Sequence, residues 1–186
     1  MMKLPAASLL LVLAACAVPP APTPVTLPTS ALPEGAGDPV RGAILSSAFV
    51  FGQPSSVAGN PGAAATALGQ VEFLAVELAG PRWIGVDALV VPMLAQARAE
   101  IRATFGFAPI PPQAAIDALF GAAEALRRND PAAATRALAP LAPGAEAATL
   151  ARLVALPPLP LTAQATARAN RVLMQRNQGH GRRLLF

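Results

Sequence analysis

Side chains that carry chemistry are scarce in this 186-residue chain. Tyrosine is absent, tryptophan occurs once at Trp83, and cysteine and histidine occur once each, at Cys16 and His180. A single cysteine excludes a disulfide framework. A single histidine, set between Gly179 and Gly181, argues against a histidine-built zinc site and against a Ser-His-Asp triad. It reads as a solvated tail residue. Charged residues make up only 13% of the chain, which excludes disorder driven by high charge. Mean hydropathy is high, at +0.49, yet no apolar run approaches the ~20 residues that a spanning helix needs. Lysine is confined to Lys3, and no acid follows Glu146.

What is abundant is small or rigid. The chain holds 44 Ala and 21 Pro, so alanine rather than large aliphatic side chains inflates the hydropathy. Its length points to one domain. Abundant Ala lets helix axes approach closely without large aromatic fillers.

The N-terminus has the order of a secretory signal: Met1-Met2-Lys3, then an apolar stretch from Leu4 to Leu13, then small residues. At Leu13-Ala14-Ala15-Cys16 it resembles the lipobox of bacterial lipoproteins. That resemblance implies cleavage of residues 1–15, a diacylglyceryl thioether on Cys16, and usually a third acyl chain, commonly palmitate, on the new amine. One acyl chain binds a membrane only marginally, whereas several hold it for long periods. Ala17 follows the cysteine where an Asp commonly retains such proteins at the inner membrane, so the resemblance favours an outer membrane, facing the periplasm. Ala15-Cys16-Ala17 also fits an ordinary A-x-A cleavage site, which would leave a soluble periplasmic protein.

Residues 16–37 form a Pro-rich linker after the lipidated cysteine. Proline fixes φ and removes a donor, so an extended spacer is expected. At roughly 3.1 Å per residue it would reach about 60 Å.

The folded domain is expected over residues 38–178, all-α, a compact bundle of about six or seven helices. Asp38-Pro39, Asn60-Pro61 and Asp130-Pro131 each pair a capping side chain with a proline at the first helical position. The first helix is predicted to reach about Phe51, and the second to run from Pro61 to about Leu78. The second carries Ala64, Ala67, Leu68, Val71, Leu74 and Leu78 on one face, and is expected to be the most buried. A third is predicted from about Val86 to Phe105, with Pro92 kinking it or marking its real beginning. The others are predicted over Pro112–Arg128, Pro131 to about Ala139, about Gly144 to Leu156, and Ala163–Gln178. Residues 179–186 read as a basic and apolar tail. No segment alternates in the manner of a strand.

Within residues 112–143, Ala122, Ala125, Asn129-Asp130, Ala134, Leu138 and Leu141 resemble the spacing of a tetratricopeptide helix pair. The large aromatic of that motif's first helix is missing, Pro140 interrupts the second, and no 34-residue echo appears. The segment is therefore read as an αα-hairpin, and no peptide-binding residue is carried over.

Acid–base machinery is thin. Glu72 and Glu77 lie on the most apolar helix, but a separation of five places them about 140° apart. Asp87 would join them only through tertiary packing, and pairing with Arg82 or Arg41, or solvation, is the simpler reading. No catalytic constellation and no cofactor pattern emerges; Gly59-Asn60-Pro61-Gly62 reads as a turn and cap. Arginine says more. Arg168, Arg171, Arg176, Arg182 and Arg183 follow the last acid, and guanidinium binds phosphate and carboxylate in a planar, two-pronged way. These five are the candidate anion- or partner-binding residues, beside the alternative of a solvated helix face. Without an aromatic stacking platform, nucleic acid is not the expected partner; an envelope protein or anionic lipid is. Trp83 is expected to plug a helix junction. The functional expectation is a lipid-anchored envelope protein of structural or adaptor type. The alternative is a small-ligand carrier or enzyme with a pocket between the second and third helices.

Overall fold

A computed structural model describes residues 23–28, 37–83, 85 and 87–183, with side chains described as far as Asn177. Seven α-helices occupy it: α1 (Pro39–Gly52), α2 (Pro61–Glu77), α3 (Val90–Phe105), α4 (Pro112–Arg127), α5 (Pro131–Leu138), α6 (Glu146–Val154) and α7 (Pro160–Arg183). Among the described residues there is no strand, and the all-α expectation holds. Nor is any helix among them long and apolar enough to cross a membrane. The lipobox with Cys16, and Leu184-Leu185-Phe186, lie outside the described residues.

The three Asx-Pro pairs start helices as their chemistry requires. The Asp38 carboxylate accepts from the Val40 N–H at 2.9 Å, Asn60 from Ala63 at 3.0 Å, and Asp130 from Ala133 at 2.8 Å. Each satisfies a backbone donor that has no partner inside its own helix. Between α4 and α5 the chain turns in three residues, Arg128 to Asp130. Asn129 takes a left-handed φ of 58°, while the Asp130 N–H returns to the Ala125 carbonyl at 2.9 Å and Asn129 to Leu126 at 3.0 Å. Asparagine tolerates that conformation, and the two bonds close α4 as a Schellman motif. Asp130 thus ends one helix with its N–H and starts the next with its side chain.

Some boundaries differ from the sequence reading. The third helix starts at Val90 rather than Val86, which puts Pro92 in its first turn, where a missing N–H costs nothing. The last helix starts three residues early at Pro160 and continues to Arg183, into the segment read as a tail.

Packing is organised around α2. Twelve of its 17 residues are buried, and α1, α3, α4 and α6 all pack against it. On one side α1, α2, α3 and α7 form a ring, each resting on the next, while α4 covers α2 from the other side with α5 behind it. Small residues set the α2–α4 spacing. A Cβ on Gly69 would sit 2.7 Å from the Phe120 ring, and one on Gly62 would sit 3.3 Å from the Ala123 carbonyl oxygen. Gly62 faces the end of α4 and Gly69 its middle, so the two helices run antiparallel.

Candidate functional site

The carboxylates singled out in the sequence are dealt out to different arginines. Glu72, on the buried face of α2, has no exposed side-chain surface. Its oxygens accept from Arg98 Nε at 2.7 Å, Arg102 Nε at 2.9 Å and Arg102 Nη2 at 3.1 Å. Arg98 and Arg102 stand one turn apart on α3 and present both guanidiniums to one carboxylate. Arg102 also donates to the carbonyls of Ala108 and Ile110, tying down the chain that leaves α3. This corrects the pairing expected for Glu72, which involved Arg41 or Arg82. Glu77 does meet Arg82, at 3.5 Å, and accepts from Trp83 Nε1 at 3.4 Å.

Asp87 belongs to a third group. Its two oxygens accept from Arg168 Nε at 3.2 Å and Nη2 at 2.9 Å, and the Leu89 N–H donates to Oδ1 at 2.8 Å. The Arg168 hydrogen bond foremost, and then the Leu89 N–H, hold the Asp87 carboxyl below its ordinary value. The three acids therefore serve three separate ties. Among the described residues, no three His, Cys, Asp or Glu side chains gather where they would hold a metal ion.

The arginine cluster lies on α7, which crosses α3 antiparallel. Thr162 meets Glu100 near the end of α3, and Arg168 meets Asp87 ahead of its start. Thr162, Ala165, Thr166 and Ala169 form the buried edge of α7. Arg171 lies on the opposite, exposed side with Gln164 and Gln175. Arg176 reaches back over Trp83, its guanidinium carbon 5.1 Å from the ring centroid, a cation–π distance. Met174 to Asn177 are exposed at four successive positions, more than a full turn of helix, although Arg176 still reaches the body at Trp83. The side chains of His180, Arg182 and Arg183 lie outside the described ones. Of the five arginines chosen from sequence, one is an internal tie, one covers the tryptophan, one is exposed, and two are not described.

Beneath Trp83 is an apolar crevice between α1, the end of α2, the start of α3, and α7. Ile44, Leu78, Val90, Ala169 and Leu173 line it, with Asp87 and Arg176 at its rim. Its volume of about 30 Å³ holds two or three waters at roughly 10–15 Å³ each. Trp83 is half-buried there and plugs the junction. Sequence reasoning missed Glu100, whose carboxylate receives the first N–H groups of α7. It also missed Gln113, which holds the segment around Thr26. Both act on partners more than 60 residues away, and neither has a local signature.

No family model matches this chain, and neither does any curated protein or solved structure.

Proposed function

We propose that this chain is a lipid-anchored envelope protein of structural or adaptor type. Lipid on Cys16 holds it to the periplasmic face of an outer membrane, and the exposed arginine face of α7 binds an anionic group on another envelope component. The observation that carries the reading is the exposed, acid-free side of α7. This helix of 24 residues, about 36 Å long at ~1.5 Å per residue, buries one edge as far as Ala169 and carries no acid. Arg171 and Gln175 line its exposed side, and guanidinium recognises carboxylate or phosphate with two parallel hydrogen bonds. A rival enzyme has less support, because the acids of α2 are engaged with arginines.

Two measurements test the reading separately. Replacing Cys16 with Ser should move the protein from the membrane to the soluble fraction; unchanged membrane retention overturns the anchor. In-cell photo-crosslinking from position 175 should capture an envelope component in the native chain and lose it in Arg171→Glu. Capture of the same component by both overturns the arginine face as the binding element. Arg171 suits this test better than Arg168, whose reversal would break the tie to Asp87.

A further inference from the structure

The segment Thr23–Pro28 is held by the body. The Gln113 side-chain oxygen accepts from the Thr26 N–H at 2.8 Å, and its Nε2 donates to the Thr26 carbonyl at 3.1 Å. One amide thus satisfies both backbone groups of an extended residue, as a neighbouring strand would. Nε2 also donates to Asp117 Oδ1 at 2.8 Å, which fixes the orientation of the amide. Val25 is 7% exposed and Leu27 packs against the core. A linker serving only as a spacer requires none of these contacts.

The clip shortens the reach of the chain. Cys16 precedes Thr23 by seven residues, and an extended chain spans at most about 3.6 Å per residue, or roughly 25 Å in all. Were Asp38 the first held residue, the same limit would be about 80 Å. The body surface beside the clip is therefore the one an anchor at Cys16 keeps near the bilayer.

That surface has suitable chemistry. Pro24 shares a hollow with Val76, Gly80 and Arg82. The Arg82 side chain is 76% exposed, and Trp83 follows it. Trp83 in turn shares a cleft with Arg41, Arg176 and Asn177. An indole beside the exposed Arg41 and Arg82 suits the headgroup zone, where the ring is amphipathic and guanidinium binds phosphate. Three described acids of this region are occupied within the chain: Asp38 caps Val40, Glu77 meets Arg82 and Trp83, and Asp87 pairs with Arg168.

We propose that Thr23–Pro28 is a membrane-proximity clip that holds the Arg41, Arg82 and Trp83 end of the bundle against phospholipid headgroups. The proposal rests on the anchoring at Cys16 described above and deepens it by naming the lipid phosphate as a ligand of the body. The test couples the full chain to phospholipid vesicles through a maleimide lipid on Cys16, its single cysteine. Fluorescence of Trp83, its single tryptophan, is then read against lipids brominated near the headgroup. Because the anchor is synthetic, absence of natural lipidation leaves the result intact, and the Cys16→Ser fractionation reports on that separately. Trp83 should be quenched in the native sequence, and quenching should fall several-fold in the double variant Val25→Asp, Gln113→Ala. Inserting about twenty Gly/Ser residues between Cys16 and Thr23, a flexible extension, should lower it similarly and decides the matter if the double variant loses helical circular dichroism. An unquenched native chain, or quenching unchanged by a longer leash, overturns the proposal.

Discussion

Glu100 of α3 caps α7 at Thr162. Its Oε2 accepts from the Thr162 N–H at 2.8 Å and from the Thr162 hydroxyl at 2.7 Å, while Oε1 accepts from the Leu161 N–H at 3.1 Å. The residue ahead of α7 is Leu159, which has no side-chain acceptor, so a carboxylate 62 residues away does what a local cap does elsewhere. The negative charge also complements the positive end of the helix. Glu100→Ala should destabilise the fold by about 1–2 kcal/mol, with a lower urea midpoint and faster amide exchange across the first turns of α7. Unchanged exchange there would show that the cap is redundant.

Among the described residues, Glu72 is the sole carboxylate between Arg98 and Arg102. Replacing it with Gln leaves two guanidiniums, 27% and 18% exposed, facing each other without a counter-charge. Removing one partner of a buried ion pair costs about 3–5 kcal/mol. Access to water for Arg98 should place this case near the lower end. The expected outcome is a loss of roughly 3 kcal/mol for Glu72→Gln, measured by equilibrium urea unfolding. Adding Arg98→Met should recover part of it, because one of the two stranded charges is removed.

Asp87 makes the α7 contact sensitive to acid. Its carboxyl is lowered in the folded state, chiefly by the Arg168 hydrogen bond, so folding is favoured when it is ionised. That contribution is complete above the unfolded value of about 3.9 and is lost as pH falls through the lower folded value. Glu124 is lowered likewise, first by Arg127 and then by Arg128. A urea midpoint followed from about pH 6 to about pH 2 should fall less steeply in Asp87→Asn than in the native chain. It should still fall through the remaining carboxylates, and identical slopes would remove Asp87 from the account.

Two glycines should respond oppositely to alanine. At Gly69 the new methyl would meet the buried Phe120 ring at 2.7 Å, and overpacking of this kind costs about 1–3 kcal/mol. At Gly42, on the exposed side of α1, nothing lies within 4 Å, and alanine should stabilise the helix by about 0.5–1 kcal/mol. Thermal unfolding of both variants measures the contrast.

Much of the fold is legible in local sequence because its signals are local. Asp38, Asn60 and Asp130 each act on a donor two or three residues ahead, and the apolar stripe of α2 needs only its own periodicity. The early start of α7 is not legible, since its cap resides on α3. The arginines of Glu72 escape notice for the same reason, although a lone acid on an apolar face opposite Arg98 and Arg102, four residues apart, is a usable signal in retrospect. The clip at Thr26 was hidden by composition: a Pro-rich stretch looks like a spacer, and one glutamine in α4 holds it. For the site, sequence located the arginines but not their allegiances. Arg168 turns inward to Asp87 and Arg176 lies over Trp83, while Arg171 alone of the described three points away from the body.

The antiparallel seating of α7 on α3 has a mechanical consequence. Glu100 grips α7 at its first turn, Arg168 grips Asp87 two turns later, and Arg176 meets Trp83 two turns beyond that. Force on the C-terminal end of α7 along the helix axis would load these ties and the buried edge between them in shear, together. A sideways pull at its C-terminal end would peel α7 instead, taking the Arg176–Trp83 contact first, then the Asp87 tie, and the Glu100 cap last. The protein should therefore bear tension along α7 far better than across it.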